Sequence, residues 1–215
     1  MLAVAGGKGG VGKTTTAVGL GRALARADRR PLLVDCDTGM PDLARVAGLP
    51  DPESGAGLAA VAAGTPVSAA AREVPGTGLA VLPPGDADAA SLGAALARID
   101  WPGPVVLDCP AGAGRGAALP LRTADRTVVV STAARASLRD ATKTAAMARA
   151  LDSEVAGVVV TRRPEPPEGV DRLLGAPPLA AVPEAPEPAV EELSAYIHAA
   201  WSLFAYQPCG QRLNQ

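Results

Sequence analysis

The feature that most constrains this chain is a glycine-rich segment near its start, residues 7–14. The segment reads Gly-Lys-Gly-Gly-Val-Gly-Lys-Thr, and it lies between an apolar run at 2–5 and a stretch with helical spacing of apolar residues. Glycines allow consecutive backbone N–H groups to turn inward around an anion, where Cβ atoms would clash. A helix that begins there adds roughly half a positive charge. The pattern GxxxxGK[ST] in this setting predicts a phosphate-binding loop.

Lysine usage supports the same interpretation. Only three of the 20 basic residues are lysines, and two of them, Lys8 and Lys13, lie in this loop. The third is Lys143. Lysine provides a compact ammonium group, so its placement indicates a local chemical demand. In a phosphate-binding loop, Lys13 would reach the β- and γ-phosphates and the Thr14 hydroxyl would bind Mg²⁺.

Short apolar runs alternate with alanine-rich stretches along most of the chain. Continuous apolar strands that alternate with helices are typical of a mainly parallel sheet. We therefore predict a three-layer α/β fold with helices on both faces of the sheet. The predicted strands are 2–5, 31–35, 79–82, 104–108, 126–131, 156–160 and 179–182, and the predicted helices are 14–27, 90–98 and 138–151.

No repeat or linker divides the chain. We therefore predict one domain over residues 1–206 and a flexible tail over 207–215. The proline-rich stretch 164–188 contains short apolar pieces, which favours ordered loops over an interdomain tether. Ligands of parallel sheets gather at the carboxyl ends of strands, and the loop at 7–14, Asp35 to Asp37 and Asp108 all lie at predicted strand ends.

Composition excludes several function classes. A net charge of −2 argues against a nucleic-acid binder held by bulk charge, and an aromatic content of 2% makes a base-stacking surface improbable. The single histidine, His198, excludes multi-histidine metal sites. Three cysteines without a CxxC pair fit a reducing compartment, and no run is long enough for a membrane span or signal peptide. We expect a soluble cytoplasmic protein.

The loop and several later segments resemble the MinD/ParA family of deviant Walker A ATPases, and MinD more closely than ParA. The extra lysine of KGGVGKTT, Lys8, is the family's distinguishing feature in this loop. The resemblance covers residues 2–190 and implies a P-loop NTPase fold of the SIMIBI type. The matching segments are 34–37, 37–43, 107–112, 124–126 with 137–140, 174–177 and 182–184.

The resemblance implies roles for individual residues. Lys8 would reach the phosphates of a partner copy across an ATP-bound homodimer, Lys13 would neutralise the γ-phosphate in cis, and Asp37 would orient the attacking water. The Thr14 hydroxyl would bind Mg²⁺ directly, and Asp35 and Asp108 would hold the ion through its water molecules. The nucleotide contacts implied are Gly7, Lys8, Gly9, Gly10, Val11, Gly12, Lys13, Thr14, Thr15 and Gly112, with Pro183 and Glu184 beside the adenine.

Two of the acidic residues also have a structural interpretation. Asp35 could form a hydrogen bond to the loop instead of holding the metal. For Asp42 a helix-capping role is favoured. Cys36 and Cys109 adjoin the carboxylates, and small buried side chains are favoured over a redox or iron–sulfur site.

The chain also departs from the family pattern. Family members often read the purine with an asparagine at the end of the sixth strand, where this chain has Thr161-Arg162-Arg163 and its only asparagine is Asn214. We expect Arg162 to stack on the purine ring instead. The arginines of the first helix region could meet DNA phosphates, although a solvated helix face is favoured; they are Arg22, Arg26, Arg29 and Arg30.

MinD proteins usually end in a basic amphipathic helix that binds membranes. Here Glu191 and Glu192 are the only charges of the last predicted helix. A helix that packs on the core is therefore favoured over a membrane anchor. Its aromatic residues could also form a partner contact. The expected apolar face consists of Val190, Leu193, Ile197, Trp201 and Phe204.

Three functional hypotheses follow. The first is a Mg²⁺-dependent, slow and partner-stimulated ATPase whose ATP-controlled homodimerisation helps to position a cellular component. It would act with an activating or cargo protein, and a membrane surface or non-specific DNA is a possible further partner. The second is a nucleotide-binding adaptor that hardly hydrolyses ATP. The third is an amide-forming or cluster-assembly relative. The absence of CxxC disfavours cluster assembly, and the lack of a recognisable substrate pocket disfavours amide formation.

Overall fold

The computed structural model describes residues 1–50, 57–112, 114–184 and 193–204. These residues form a single sheet with helices on both sides. The strands are β1 (Leu2–Ala5), β2 (Leu32–Asp35), β3 (Arg72–Val74), β4 (Leu79–Leu82), β5 (Val105–Asp108), β6 (Arg126–Thr132), β7 (Glu154–Thr161) and β8 (Pro178–Val182). The helices are α1 (Lys13–Arg26), α2 (Leu43–Ala47), α3 (Leu58–Ala62), α4 (Val67–Ala70), α5 (Ala89–Leu96), α6 (Arg115–Thr123), α7 (Arg135–Ala150), α8 (Val170–Leu174) and α9 (Leu193–Phe204).

The sheet has the strand order β3-β4-β2-β5-β1-β6-β7-β8. Among the described strands, only the pairing of β3 with β4 is antiparallel. The other strands run in parallel, so their carboxyl ends gather at one edge. Because β1 lies between β5 and β6, the segment that follows it leaves the sheet near the centre of this edge.

Alternating side chains of the strands divide the core into two layers. In β1, Leu2 and Val4 pack with α1, α2 and α9, whereas Ala3 and Ala5 pack with α3, α5 and α7 on the opposite face. Each fully buried leucine or valine contributes about 1.5–3 kcal/mol relative to an exposed side chain. Burial on both faces therefore holds the central strands rigidly, and confirms the predicted three-layer α/β fold.

All seven predicted strands are present, and α1, α5 and α7 correspond to the three predicted helices. The sequence did not predict β3 or the helices α2, α3, α4, α6 and α8. Except for α6, these elements have only three to five residues, too few for a recognisable apolar period. The helix α6 has nine residues but contains Pro120, which normally disfavours a helix interior.

The last described helix, α9, packs on the core, as expected. Its buried face agrees with the predicted one at Phe204 and differs from it at Trp201. Trp201 is 56% exposed, whereas Tyr196, Ala199 and Leu203 are buried. The prediction for Trp201 is wrong because the helix turns its small residues and Tyr196 toward α1. Val190 lies outside the described residues.

Within the described ranges, none of the helices combines the length and apolar character needed to cross a bilayer. The tail at 207–215 lies outside these ranges. A single domain over 1–206 stays a prediction.

The contact between α1 and α9 generates a test. A Cβ added at Gly19 would lie 2.3 Å from the Tyr196 ring, so Gly19→Ala should lower the free energy of unfolding by about 1–3 kcal/mol. Gly93→Ala is the matched control, because a Cβ in α5 has its nearest neighbour at 3.5 Å. At Gly93, alanine reduces the conformational entropy of the unfolded chain, so the free energy of unfolding should rise by about 0.5–1 kcal/mol. Urea unfolding measures both, and equal stabilities of the two variants would contradict the packing.

Candidate functional site

The glycine-rich segment connects β1 to α1, as predicted. Gly12 is the N-cap of α1 and has a φ of 92°, a left-handed conformation that side chains rarely adopt. Gly7 lies against α7, where an added Cβ would be 2.5 Å from the backbone of Asp140. Glycine is therefore required at Gly12 by conformation and at Gly7 by close approach. The N-terminus of α1 provides the N–H groups and partial charge that a phosphate needs.

The two lysines of this loop differ in their surroundings. Lys13 is only 8% exposed, and its Nζ donates to the Lys8 carbonyl at 3.4 Å. Lys8 is exposed, and its ammonium group forms no ion pair within the part of the chain that the structure describes. One ammonium group therefore lies inside the site and the other faces solvent.

Asp35 and Asp108 are neighbours in the sheet. They are paired in the register of β2 and β5, and both are buried. Burial raises the pKa of Asp35 to about 7, although N–H groups of Leu43 and Asp37 oppose the rise. Burial raises the pKa of Asp108 to about 8, and the charge of Asp35 adds to this rise. A hydrogen bond from Thr14 and the charge of Lys13 act in the opposite direction. The pair therefore favours a bound cation or proton.

Asp35 also fixes the local backbone. Its Oδ1 accepts the N–H of Asp37 at 3.0 Å, and its Oδ2 accepts the N–H of Leu43 at 3.1 Å. Leu43 is the first residue of α2, so the Asp35 carboxylate caps this helix. The structural role considered for Asp35 is therefore present.

Asp42 occupies the N-cap position of α2, but its side chain makes no capping hydrogen bond. Its carboxylate instead lies 3.7 Å from the Arg45 guanidinium. The prediction that the Asp42 side chain caps this helix is wrong, because the Asp35 carboxylate at the end of β2 accepts the Leu43 N–H instead.

The carboxylate of Asp37 stabilises a turn in its own loop. Its Oδ1 accepts the N–H groups of Gly39 at 3.3 Å and Met40 at 3.1 Å. Met40 is 81% exposed at the tip of this loop. Asp37 thus lies at the expected strand end, with its carboxylate engaged by the backbone.

The residues predicted to hold Mg²⁺ can be tested against the structure. Oδ1 of Asp108 is buried and has no hydrogen-bond partner among the described residues. The Thr14 side chain bonds to the same carboxyl group. A buried polar atom without a partner is costly, and oxygen ligands together with water are what Mg²⁺ prefers. Thr14, Asp35 and Asp108 therefore fit this ion.

Gly112 lies beside the loop, after β5. Its N–H donates to the carbonyl of Gly6 at 3.1 Å, and its φ is 92°. Within the described part of the chain, an added Cβ would find no atom within 4 Å, so the positive φ is what requires glycine. Gly112, which the family resemblance implies as a nucleotide contact, is therefore next to the loop, and its N–H is hydrogen-bonded to the Gly6 carbonyl.

The end of β7 contacts the loop directly. Thr161 Oγ1 donates to the Val11 carbonyl at 2.8 Å, and Arg162 Nη2 donates to the Gly10 carbonyl at 2.7 Å. Thr161 was not among the predicted site residues, although its position directly after an apolar strand was the available signal. The stacking of Arg162 on a purine stays a prediction, as do the contacts of Pro183 and Glu184, both exposed after β8.

Cys36 and Cys109 are free and buried, as favoured from the sequence. Burial raises the pKa of both thiols, which makes them less reactive. Among the arginines considered for DNA contact, Arg22 is half-buried and donates to the Ala47 carbonyl at 3.5 Å, so it ties α1 to the end of α2.

The loop, its buried lysine and the paired carboxylates define a P-loop nucleotide-binding protein. Residues 2–189 match the CobQ/CobB/MinD/ParA nucleotide-binding domain family, and the chain belongs to this family. The prediction of the MinD/ParA family from the sequence is thereby confirmed.

Individual relatives agree with this assignment. An uncharacterized ATP-binding protein of Methanocaldococcus jannaschii is 29% identical over 198 residues, which are 86% of this chain and 74% of that protein. The septum site-determining protein MinD of Synechocystis is 28% identical over 177 residues, 77% of this chain and 65% of that protein. MinD of Pyrococcus horikoshii in complex with Mg-ADP has the same fold, with a TM-score of 0.81, 23% identity and coverage of 94% and 95% of the two chains.

The raised pKa values predict the pH dependence of stability without nucleotide or metal. The unfolded chain loses the protons of Asp35 and Asp108 near pH 4, whereas the folded chain keeps them to about pH 7 and 8, so stability falls as the pH rises from 4 to 8. Thermal melting in EDTA should show a smaller loss between pH 5 and pH 8 for Asp108→Asn than for the wild type. The exposed Asp100→Asn is the control, and an unchanged loss in Asp108→Asn would contradict the assignment.

Proposed function

We propose that this protein is an ATPase whose homodimerisation is controlled by ATP and which helps to position a cellular component. The observation that carries the proposal is the contrast between Lys13, buried inside the loop, and Lys8, exposed at its mouth. An exposed ammonium group beside the phosphate site is placed to reach a second copy of the chain. The name of the Synechocystis relative, a septum site-determining protein, supports a role in positioning.

The cofactors are ATP and Mg²⁺, and the P. horikoshii relative with Mg-ADP supports both. Mg²⁺ neutralises charge that develops on the β- and γ-phosphates. Thr14 would hold the ion at its hydroxyl oxygen, and Asp108 and Asp35 would act mostly through water. Both carboxylate oxygens of Asp35 accept hydrogen bonds from backbone N–H groups, so Asp35 also holds in place the loop between β2 and α2 that contains Asp37.

The chain's own residues supply the remaining parts of the reaction. The loop N–H groups and Lys13 bind the phosphates, and Thr15 lies one residue further into α1. Lys8 of the partner copy would add positive charge at the γ-phosphate, an effect worth about 10³–10⁵ in rate for similar cationic groups. Asp37 would orient a water molecule that attacks the γ-phosphorus while ADP leaves.

Two contacts in the structure would change during the cycle. The Asp37 carboxylate accepts the N–H groups of Gly39 and Met40, and the Gly112 N–H donates to Gly6. The γ-phosphate would compete with the Gly6 carbonyl for the Gly112 N–H, and a water oriented by Asp37 would share its carboxylate with the two N–H groups that Oδ1 already accepts. Hydrolysis is therefore slow until a partner reorganises the two loops, which supports stimulation by an activating or cargo protein.

A second candidate is an adaptor that binds ATP and hardly hydrolyses it. The engagement of the Asp37 carboxylate by its own loop favours this alternative, as does Thr161-Arg162-Arg163 where family members often carry the purine-reading asparagine. Phosphate release at saturating ATP, with and without candidate activators, separates the two functions.

The first test concerns Lys13. Lys13→Ala removes a charge-assisted contact worth about 1.5–3 kcal/mol, so the ATP dissociation constant from calorimetry should rise about tenfold to a hundredfold. Lys143→Ala is the matched control, because this lysine lies on α7 and pairs with Asp140 at 3.0 Å. Phosphate release that persists unchanged in Lys13→Ala would refute catalysis at this loop.

The second test concerns assembly. Asp37→Ala, which lacks the proposed water-orienting carboxylate, should elute as a dimer in size-exclusion chromatography with ATP and Mg²⁺, because hydrolysis no longer releases the partner. Adding Lys8→Ala to this variant should return it to a monomer, whereas adding Lys143→Ala should not. A monomer under every nucleotide condition would overturn the homodimer.

A further inference from the structure

The hydroxyl of Thr161 reaches the glycine-rich loop from two strands away in the sheet. Thr161 ends β7, which is separated from β1 by β6. Its Oγ1 donates to the Val11 carbonyl at 2.8 Å, and the Ser131 carbonyl lies further away at 3.4 Å. Thr161 is 7% exposed, so this hydrogen bond is shielded from water. Its Cγ2 methyl lies 3.2 Å from the position of a Cβ at Gly12. Both branches of the side chain therefore face the loop.

The next residue makes a second contact with the loop. Arg162 Nη2 donates to the Gly10 carbonyl at 2.7 Å. The backbone of Arg162 has a φ of 63°, a left-handed conformation that is uncommon for residues other than glycine. Such conformations persist where surrounding contacts fix them. Two consecutive side chains thus donate to two consecutive carbonyls of the loop.

Fixing these carbonyls also fixes N–H groups. A trans peptide is planar, and its C=O and N–H point in opposite directions. The peptide that carries the Gly10 carbonyl also carries the Val11 N–H, and the peptide of the Val11 carbonyl carries the Gly12 N–H. Anchoring both carbonyls therefore sets the direction of two N–H groups in the segment that binds phosphate. Without these anchors, the glycines around Val11 would leave the peptides free to rotate.

We propose that Thr161 and Arg162 are positioning residues of the nucleotide site: they anchor the Gly10 and Val11 carbonyls and thereby direct the Val11 and Gly12 N–H groups at the bound phosphates. This role rests on the proposed function and adds to it. It assigns to the end of β7 the preorganisation of the phosphate site, in place of direct contact with the purine. Preorganisation lowers the cost of ordering the loop on binding, so its loss weakens affinity.

The hydroxyl is tested by two substitutions at one residue. Thr161→Val keeps the shape and removes the donor, whereas Thr161→Ser keeps the donor and removes the methyl group. Calorimetry with MgATP should give a dissociation constant about fivefold to tenfold higher for Thr161→Val and within about threefold of the wild type for Thr161→Ser. Thr123→Val is the control, because its hydroxyl donates to the Leu119 carbonyl at 2.9 Å at the opposite edge of the sheet.

Arg162 gives an independent measurement. Arg162→Ala should also raise the dissociation constant severalfold, and the variant with both Thr161→Val and Arg162→Ala should bind more weakly than either single variant, since each anchors a different peptide. Thermal melting of the nucleotide-free variants measures whether the fold is kept. We expect the melting temperature of Thr161→Val to be close to that of Thr123→Val.

The outcomes separate this inference from the proposed function. Wild-type affinity in Thr161→Val overturns the anchoring role alone, and so does an equal loss in Thr161→Ser and Thr161→Val. A loss of affinity that is matched by an equal loss of nucleotide-free stability makes the role structural and also overturns it. Failure of the wild-type chain to bind MgATP overturns the proposed function and the anchoring role together.

Discussion

The parallel pairing of β2 with β5 is the constraint on which the site depends. It places two buried carboxyl groups side by side, at Asp35 and Asp108, with the buried Lys13 close enough to affect one of them. An arrangement of this kind is unfavourable in an empty site, because burial penalises both charges. The sheet keeps it in place because the apolar side chains above and below the strands hold β2 and β5, and with them the two carboxyl groups, in register. The stability of the core therefore maintains a site that gains from binding a cation.

Most of the sheet could be predicted because its strands are buried on both faces and appear as continuous apolar runs between turns. The short edge strand β3 could not be predicted, because only one of its three residues, Val74, is apolar and buried, which is too little to show a strand pattern. The buried face of α9 was misjudged for a related reason. Large residues usually mark the core side of a helix, but here Gly19 of α1 leaves room for Tyr196, and Trp201 is left in solvent.

The site was predictable where a motif fixes its chemistry, as in the loop and the two strand-end aspartates. What could not be predicted are contacts made through tertiary structure. The capping of α2 by Asp35, eight residues before Leu43, depends on the path of the intervening loop. The bond between Thr161 and Val11 joins residues 150 positions apart. No local pattern encodes such pairs, because the sheet and the loops at its edge bring them together only in the folded chain.

The contact between Gly7 and α7 has a consequence for how this protein responds to mutation. Because Gly7 has no side chain, the first residue of the loop lies directly against the Asp140 backbone of α7. A substitution among the inner residues of α7 that tilts the helix would therefore also displace Gly7 and the loop. Sequence drift in this helix can alter nucleotide affinity while every residue of the phosphate motif remains intact.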